Sequence, residues 1–146
     1  MICAWTKPPA FLNSTGWHDM DGFRVDLLSA LATKATGKPC TVRIERLDGA
    51  WGSAHFDGKS YIVTLHSMLF ATRDARGVVK TFWHECAHVA LGHCPRPTER
   101  TEATVQAARE WVTTPAGKSR EAAADEWAAA AMWQVPAFEV WNLALA

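Results

Sequence analysis

Residues 84–88 read H-E-C-A-H, and this spacing constrains the fold more than any other feature of the chain. Side chains four residues apart lie one above the other on the same face of an α-helix, so a helix here would present His84 and His88 together. Two imidazoles held in this way can bind one divalent cation, and Glu85 can reach a water molecule bound to that cation. The pattern therefore predicts a helix that carries two metal ligands and a carboxylate base.

The sequence on both sides of this segment is largely apolar, with V-V-K-T-F-W at 78–83 and V-A-L-G-H at 89–93. The simplest alternative is a surface helix on which two histidines and a glutamate fall by chance. A helix with apolar flanks is instead expected to enter the core, where charged groups need compensating partners. We therefore interpret the segment as a buried helix whose charged groups are compensated by a metal ion.

A catalytic zinc site has three protein ligands and keeps its fourth position for water, so one more ligand is needed. Glu121 and Asp125 are four residues apart in an Ala-rich segment that favours a helix, and they would share one face of it. On that face, Glu121 would bind the metal. Asp125 would accept a hydrogen bond from the non-ligating ring nitrogen of His84 or His88. The alternative is that both are ordinary solvated helix acids, as Glu126 is expected to be.

Cys94 is the alternative third ligand, because it lies six residues after His88, a spacing that some zinc proteases use. Those proteases have glycine three residues after the second histidine, whereas this chain has Leu91 there and Gly92 one residue later. His93 is expected to point away from the ligand face as long as the helix continues, and we interpret it as a helix-end histidine near the negative end of the helix dipole. Glu121 is the preferred third ligand on these grounds.

Two segments carry a resemblance to a known group of enzymes. Residues 83–93 (W-H-E-C-A-H-V-A-L-G-H) resemble the H-E-x-x-H-x-x-L-G-H helix of the gluzincin metallopeptidases, and residues 121–128 (E-A-A-A-D-E-W-A) resemble their E-x-x-A-[DN]-x-F-A ligand helix. Among short chains with both motifs, the ImmA/IrrE family is the most similar. That family typically has glutamate at the position of Ala123 and phenylalanine at that of Trp127. The resemblance implies a zinc-dependent endopeptidase that cleaves an intracellular protein, with a helix-turn-helix transcriptional repressor as the implied substrate.

The expected chemistry follows from the parts. Zinc lowers the pKa of its bound water, and Glu85 acts first as general base and then as general acid. A further donor should stabilise the oxyanion. The chemically suitable side chains, among which the sequence does not choose, are Tyr61, His66, His55 and His93. Two histidines and one glutamate would also accept manganese or iron. The alternative function is a metal-containing but non-hydrolytic binding or toxin-type partner of a regulator, although an intact Glu85 favours the enzyme.

The composition limits which binding partners and which cellular compartment we expect for the protein. The formal net charge is zero, which argues against general binding to nucleic acid or to an anionic membrane, since both need a basic excess. The four cysteines include no C-x-x-C pair, and neither a signal peptide nor a membrane-spanning apolar run is recognisable. We therefore expect reduced thiols in a cytoplasmic protein.

The remaining pattern predicts one α+β domain over residues 1–146, in which 1–20 form an irregular segment. A small, mostly antiparallel sheet is expected to pack on the H-E-x-x-H helix, with further helices toward the C-terminus. A first helix beginning at Asp21 or Asp26 should end at Gly37, and Ser119 should cap a later helix. Strands are predicted at 41–47, 50–56 and 61–66, and further helices at 98–112, 119–133 and 137–145. Asp48-Gly49 and Asp57-Gly58 are expected to be hairpin turns. Strand 61–66 is expected at the edge beside the cleft, or alternatively at the centre of the sheet.

Overall fold

The computed structural model of the protein describes residues 2–3 and 22–146. Within these residues the chain forms four β-strands and six α-helices. In chain order they are β1 (Ile2–Cys3), α1 (Val25–Thr36), β2 (Cys40–Glu45), β3 (Gly52–Phe56), β4 (Tyr61–His66), α2 (Ser67–Ala71), α3 (Ala75–Ala90), α4 (Glu102–Trp111), α5 (Pro115–Gln134) and α6 (Ala137–Leu145). The irregular segment predicted for residues 1–20 lies outside the described residues except at Ile2–Cys3, which form a short strand instead.

The four strands form one mixed sheet in the order β1-β3-β4-β2. β3 runs antiparallel to both β1 and β4, whereas β2 pairs in parallel with β4, from Cys40 opposite Tyr61 to Glu45 opposite His66. The predicted α+β class is therefore present. The prediction of a mostly antiparallel sheet is correct only for the pairings of β3.

The central position of β4 explains this difference. Residues 62–66 of β4 are all buried, and a strand that is buried on both faces belongs inside a sheet rather than at its edge. β4 consequently lies between β2 and β3, so the turn at Asp48-Gly49 joins strands that do not pair with each other, and the predicted hairpin there is wrong. The predicted edge position of strand 61–66 is also wrong, and the alternative, a central strand, is correct.

Turns and helix ends are predicted from the sequence more reliably than the order of the strands in the sheet. Asp57 Oδ1 accepts hydrogen bonds from the backbone N–H groups of Lys59 and Ser60, both at 2.8 Å, and the turn joins antiparallel β3 and β4 as predicted. Gly37 ends α1 in the left-handed conformation with φ 72°, also as predicted.

Helix α5 begins earlier than expected. The side chain of Thr114 accepts a hydrogen bond from the backbone N–H of Gly117, and Pro115 occupies the first turn, where its missing N–H costs nothing. Ser119 therefore lies inside the helix and is not its cap. Glu121 falls in the second turn.

Helix α3 is the centre of the molecule, and it is buried along nearly its whole length. It packs against β3 and β4 on one side and against α5, α6 and α1 on the others. The core that surrounds it draws apolar side chains from the sheet and from most of the helices. Among the described residues, no helix is both long enough and apolar enough to cross a membrane. Most side chains of α3 are thus held in place by packed elements.

Candidate metal centre

Helix α3 places both motif histidines on one buried face. His84 is 6% exposed and His88 is fully buried. Their ring centroids lie 4.9 Å apart, and the two Nε2 atoms approach to 3.2 Å. The residue spacing predicts this geometry, because one helical turn of four residues stacks the side chains.

Helix α5 brings Glu121 to the same point. Glu121 Oε2 lies 2.6 Å from His84 Nε2, and Oε1 lies 3.3 Å from His88 Nε2. The helices approach closely here because α5 buries two alanines, Ala124 and Ala128, near the contact. One ligand atom from each of the three residues lies within 4.8 Å of the others, so the group can hold a metal ion.

The separations between the ligand atoms are close to those around a tetrahedral ion, with Glu121 Oε1 facing His88 and Oε2 facing His84. Zinc with bonds of about 2.0–2.1 Å holds neighbouring ligand atoms about 3.3 Å apart. The 3.2 Å and 3.3 Å separations at His88 Nε2 match this value. The 2.6 Å contact between His84 and Glu121 is a hydrogen-bond distance, so these two atoms would have to separate by less than 1 Å. Two imidazoles and one carboxylate also form a donor set that zinc uses in hydrolytic enzymes.

The protonation states of two ligands suit metal binding. Burial lowers the pKa of His88 to about 4, so its imidazole is neutral at neutral pH. Burial alone would raise the pKa of Glu121, but hydrogen bonds with His84 and His88 outweigh it and lower that pKa to about 2. A neutral imidazole and an ionised carboxylate are the forms that bind a cation, so little free energy is spent on deprotonation.

Asp125 stands behind His84. Its Oδ1 lies 2.8 Å from His84 Nδ1, the ring nitrogen that faces away from Glu121. The Asp125 side chain is 68% exposed, and its hydrogen bond with His84 holds it at the site. A carboxylate in this position keeps the proton on Nδ1 and leaves Nε2 free to bind a metal.

His93 stands behind His88, where sequence reasoning did not place it. Helix α3 ends at Ala90, Gly92 adopts φ 73°, and the backbone N–H of His93 donates to the carbonyl oxygen of His88 at 2.9 Å. This left-handed turn folds the chain back, so His93 Nδ1 lies 2.8 Å from His88 Nδ1. The expectation that His93 points off the ligand face applied to a continuing helix, and the helix ends before His93. The glycine after the last helical turn is the signal that predicts such a reversal.

Glu85 is fully buried, and neither of its carboxylate oxygens has a hydrogen-bond partner among the described residues. Burial raises its pKa to about 7. A carboxyl group with this pKa can accept and return a proton near neutral pH. An orphaned buried carboxylate is otherwise costly, which points to a partner in the site.

Strand β3 covers Glu85 at Gly52. A Cβ atom on Gly52 would lie 3.2 Å from Glu85 Oε2 and 2.5 Å from Thr81 Cγ2, so only glycine fits without a shift of neighbouring atoms. The motif-based reasoning did not single out Gly52. A glycine inside a strand is a recognisable signal of close backbone approach.

Other candidates lie outside the ligand cluster. The thiol of Cys94 donates to the carbonyl oxygen of Ala54 at 3.5 Å, and Cys94 is not among the three residues of the cluster. His66 Nδ1 accepts a hydrogen bond from the backbone N–H of Met68 at 3.0 Å and caps α2, which is a structural role.

The other two candidate oxyanion donors also have neighbours elsewhere in the sheet. Tyr61 packs its ring 4.7 Å from that of Phe56. His55 lines a polar cavity of about 660 Å³ together with Arg43 and Thr64. Neither residue contacts the three ligand residues through a hydrogen bond in the described part of the chain.

Comparisons with protein-family models, with curated proteins and with solved structures found no match. The metal-site hypothesis therefore rests on the residues and their geometry.

Proposed function

We propose that the protein is a zinc-dependent endopeptidase. The observation that carries the proposal is the convergence of ligand atoms from His84, His88 and Glu121 beside an orphaned, fully buried Glu85. A purely structural metal site needs no adjacent carboxylate, whereas hydrolysis needs a base that can reach the attacking water. A pKa of about 7 suits Glu85 to that task.

The chain's own residues supply the binding and the proton transfers. A bound zinc ion would supply an acidified water molecule and a positive charge that polarises the scissile carbonyl. Glu85 takes a proton from the attacking water as the water oxygen bonds to the carbonyl carbon. The same carboxyl group then gives the proton to the amine nitrogen as the carbon–nitrogen bond breaks. Asp125 and His93 hold the two imidazoles in the required tautomers.

The substrate class is proposed from the resemblance of the two motif helices to those of the ImmA/IrrE family. It is an intracellular protein, with a helix-turn-helix repressor as the specific candidate. A peptide substrate also agrees with the sheet above the site, since extended chains bind by adding a strand to a sheet edge.

One observation favours the second candidate function, a metal-containing binding or toxin-type partner that does not hydrolyse. Glu85 and His88 are both fully buried, so neither side chain contacts solvent in this conformation, whereas Glu121 is partly exposed. A non-hydrolytic binder does not need an accessible base, whereas Glu85 must reach the attacking water in an enzyme.

Metal analysis tests the centre itself. Wild-type protein should carry about one zinc per chain, and Glu121→Ala should lose most of it, because two imidazoles alone leave the site one ligand short. Glu126→Ala, an exposed acid on the same helix, is the matched control and should retain the metal. A Cys94→Ser variant that loses metal while Glu121→Ala keeps it would show that the third ligand is assigned wrongly. Elemental analysis also reports whether manganese or iron is present instead.

Glu85→Gln tests the reaction. This variant should keep its metal and its fold, because Glu85 is not one of the three ligands, and it should lose hydrolysis of an unfolded test substrate such as labelled casein. Wild type assayed with and without chelator provides the positive and negative controls. Full activity of metal-loaded Glu85→Gln would rule out the proposed mechanism. If wild type is metal-loaded but inactive on the casein and on candidate repressors, the non-hydrolytic function is favoured.

A further inference from the structure

The sheet has a second face, which points away from α3 and carries several polar side chains. A Cβ atom on Gly52 would meet Glu85 of α3, so position 52 faces that helix. Side chains point alternately to the two faces of a strand, so Ser53 and His55 of β3 point away from α3. The candidate metal centre is therefore on one side of the sheet, and these two polar residues are on the other.

Residues of the two neighbouring strands continue this polar face. Thr64 of β4 lies directly opposite Ser53, and Arg43 of β2 lies directly opposite Thr64. Residues that lie opposite each other in paired strands point to the same face of a sheet. We call Arg43, Ser53, His55 and Thr64 the polar row.

Two atoms of the polar row are buried without a hydrogen-bond partner. Ser53 is fully buried, and neither its Oγ nor Nδ1 of His55 forms a hydrogen bond with any described residue. Thr64, beside Ser53, is only 1% exposed. Buried polar atoms are almost always hydrogen-bonded in folded proteins, so such exceptions indicate a bound water molecule or a ligand.

A cavity of about 660 Å³ lies against the polar row and is lined by three of its four members and by residues 97–100. The backbone N–H of Thr98 donates to the carbonyl oxygen of Phe56 of β3 at 2.8 Å, and Arg100 pairs with Glu45 of β2 at 2.6 Å. The segment 97–100 is therefore attached to strands on both sides of β4. A cavity of this size is within the range that holds small molecules.

Ser53 lines a smaller cavity of about 70 Å³, which shares His55 and residues 98–100 with the larger one. A water molecule takes up about 30 Å³ in the liquid, so this space suffices for one or two water molecules. Water can therefore satisfy Ser53 Oγ there, and the larger cavity is the space that remains for a ligand.

Most charged groups around the larger cavity already have partners. Arg100 is paired with Glu45, and Asp57 accepts two backbone hydrogen bonds in the turn between β3 and β4. Burial lowers the pKa of His55, and the positive charges of Arg100 and Arg43 lower it further, so its imidazole is neutral at neutral pH.

Arg43 and Glu99 are the remaining charged side chains of this cavity. Within the part of the chain that the structure describes, neither side chain forms an ion pair or a hydrogen bond. A ligand that satisfies both must carry a negative group and a positive group. The neutral imidazole of His55 and the hydroxyl group of Thr64 require nothing further than hydrogen bonds.

We propose that the larger cavity binds a small zwitterion with a free carboxylate and a free ammonium group, the chemistry of free amino acids and dipeptides. Arg43 holds the carboxylate, because a guanidinium group can donate two parallel hydrogen bonds to it. Glu99 holds the ammonium group, and Thr64 and His55 add hydrogen bonds to the bound molecule. The sheet separates this cavity from the candidate metal centre, so the binding function does not depend on the proposed peptidase activity.

Isothermal titration calorimetry with zinc-loaded wild-type protein tests the ligand class. The probes are the standard L-amino acids, diglycine, dialanine and dileucine, each titrated alone, and the tightest of them distinguishes a single amino acid from a dipeptide. At least one probe should bind with a Kd below about 1 mM. Its N-acetyl derivative and its amide should each bind at least about tenfold more weakly, because each lacks one of the two charges. The proposal is overturned if no probe binds in that range, or if either derivative binds as tightly as the free zwitterion.

Two variants that remove a charge locate the binding site. Arg43→Gln should bind the tightest probe no better than the amide of that probe, and Glu99→Gln should bind it no better than the N-acetyl derivative. In each variant the group that recognised the missing charge is gone. Arg43 and Glu99 are both exposed, so these substitutions should leave the fold unchanged. Arg46→Gln and Glu102→Gln are the matched controls, since they remove exposed charges that do not line this cavity, and they should bind the probe as wild type does.

The same four variants exclude binding elsewhere on the protein. A probe that bound at the zinc ion instead of in the cavity would keep its affinity in Arg43→Gln and Glu99→Gln. A general effect of protein charge would change the affinity of the controls as much as that of the two cavity variants. Either result would overturn the proposal.

Discussion

Nδ1 of His93 lies 2.8 Å from Nδ1 of His88, so one proton must lie between the two rings. His88 Nε2 faces the other ligand atoms, and a nitrogen that binds a metal cannot also carry a proton. With a metal ion on Nε2, His88 would carry its proton on Nδ1 and donate that N–H to His93, which would accept it as a neutral imidazole. Burial lowers the pKa of His93, which favours that neutral form.

His93→Ala should weaken metal binding by roughly 10–100-fold, because it removes the acceptor that orients a ligand imidazole. His93→Gln, whose side-chain oxygen can accept the same hydrogen bond, should recover part of the loss. Competition with a chelator of known affinity measures both variants. His55→Ala is the control, since His55 lies outside the ligand cluster and should bind metal as wild type does. If His93→Ala binds metal with wild-type affinity, His93 does not support the metal site and is only a helix-end residue.

Asp125→Ala should produce a loss of similar size through the other ligand histidine. Asp125 Oδ1 contacts His84 Nδ1 at 2.8 Å, and removal of a partner of this kind typically costs roughly 10–100-fold in metal affinity. Glu126→Ala, the next residue and an exposed one, is expected to change unfolding free energy by less than about 0.5 kcal/mol and to leave the metal affinity unchanged. Chelator competition compares the two. Equal, negligible losses would mean that Asp125 is only a solvated helix acid.

The parts of the site that lie within one helix could be predicted from the sequence. His84 and His88 share a face because of a local periodicity that needs no knowledge of the rest of the fold. The spacing of Glu121 and Asp125 likewise identifies a helix face. Their approach to within hydrogen-bond distance of His84 depends on how closely α5 packs on α3, which spacing alone does not determine.

The features that depend on contacts between residues distant in the sequence could not be predicted from the sequence pattern. The order of the strands in the chain predicts β4 at the edge of the sheet, but β2 pairs with its other side across a crossover. The need for glycine at position 52 follows from the packing of β3 on Glu85, which the sequence does not show. The contact of His93 with His88 depends on the left-handed Gly92, which reverses the chain after α3. Each missed feature depends on a non-local contact or on a break in helical periodicity.

Glu85→Gln should stabilise the metal-free protein at alkaline pH. The pKa of Glu85 is raised from 4.5 to about 7, so the folded state holds its proton more tightly than the unfolded state does. Stability is therefore lost as pH rises from about 4.5 to about 7, by an amount on the order of 3 kcal/mol. Glutamine stays neutral throughout and removes this loss. Denaturant unfolding at pH 8 in the presence of chelator should show the full difference, and at pH 4.5 the two proteins should differ little.

The comparison of wild type with Glu85→Gln separates the effect of Glu85 on stability from that of His88. The titration of His88 changes stability with pH in the opposite direction. The pKa of His88 is lowered from 6.5 to about 4, so the unfolded state binds more protons between those values and stability rises with pH there. This contribution is common to wild type and Glu85→Gln and largely cancels in their difference. Glu126→Gln is the control for removal of an exposed charge. A difference that does not depend on pH would show that Glu85 does not titrate as a buried acid.

Gly52→Ala should destabilise the protein, because the added Cβ would lie 2.5 Å from Thr81 Cγ2 and 3.0 Å from Glu85 Cγ. Overpacking of this kind costs about 1–3 kcal/mol. Gly22→Ala is the matched control, since a Cβ there meets nothing within 4 Å. Its unfolding free energy should stay within about 0.5 kcal/mol of that of wild type.

The double variant Gly52→Ala with Thr81→Ser identifies the cause of that loss. Serine keeps the hydroxyl group of Thr81 and removes Cγ2, the atom nearest to the new Cβ, so part of the lost stability should return. The contact with Glu85 remains, so metal-loaded protein should still show reduced hydrolysis even where stability is recovered. Chemical unfolding and the casein assay, run on the two single variants and the double variant, measure the two effects separately. Additive stability losses in the double variant would mean that Gly52 does not pack on Thr81, and β3 would then not hold Glu85 in the position described.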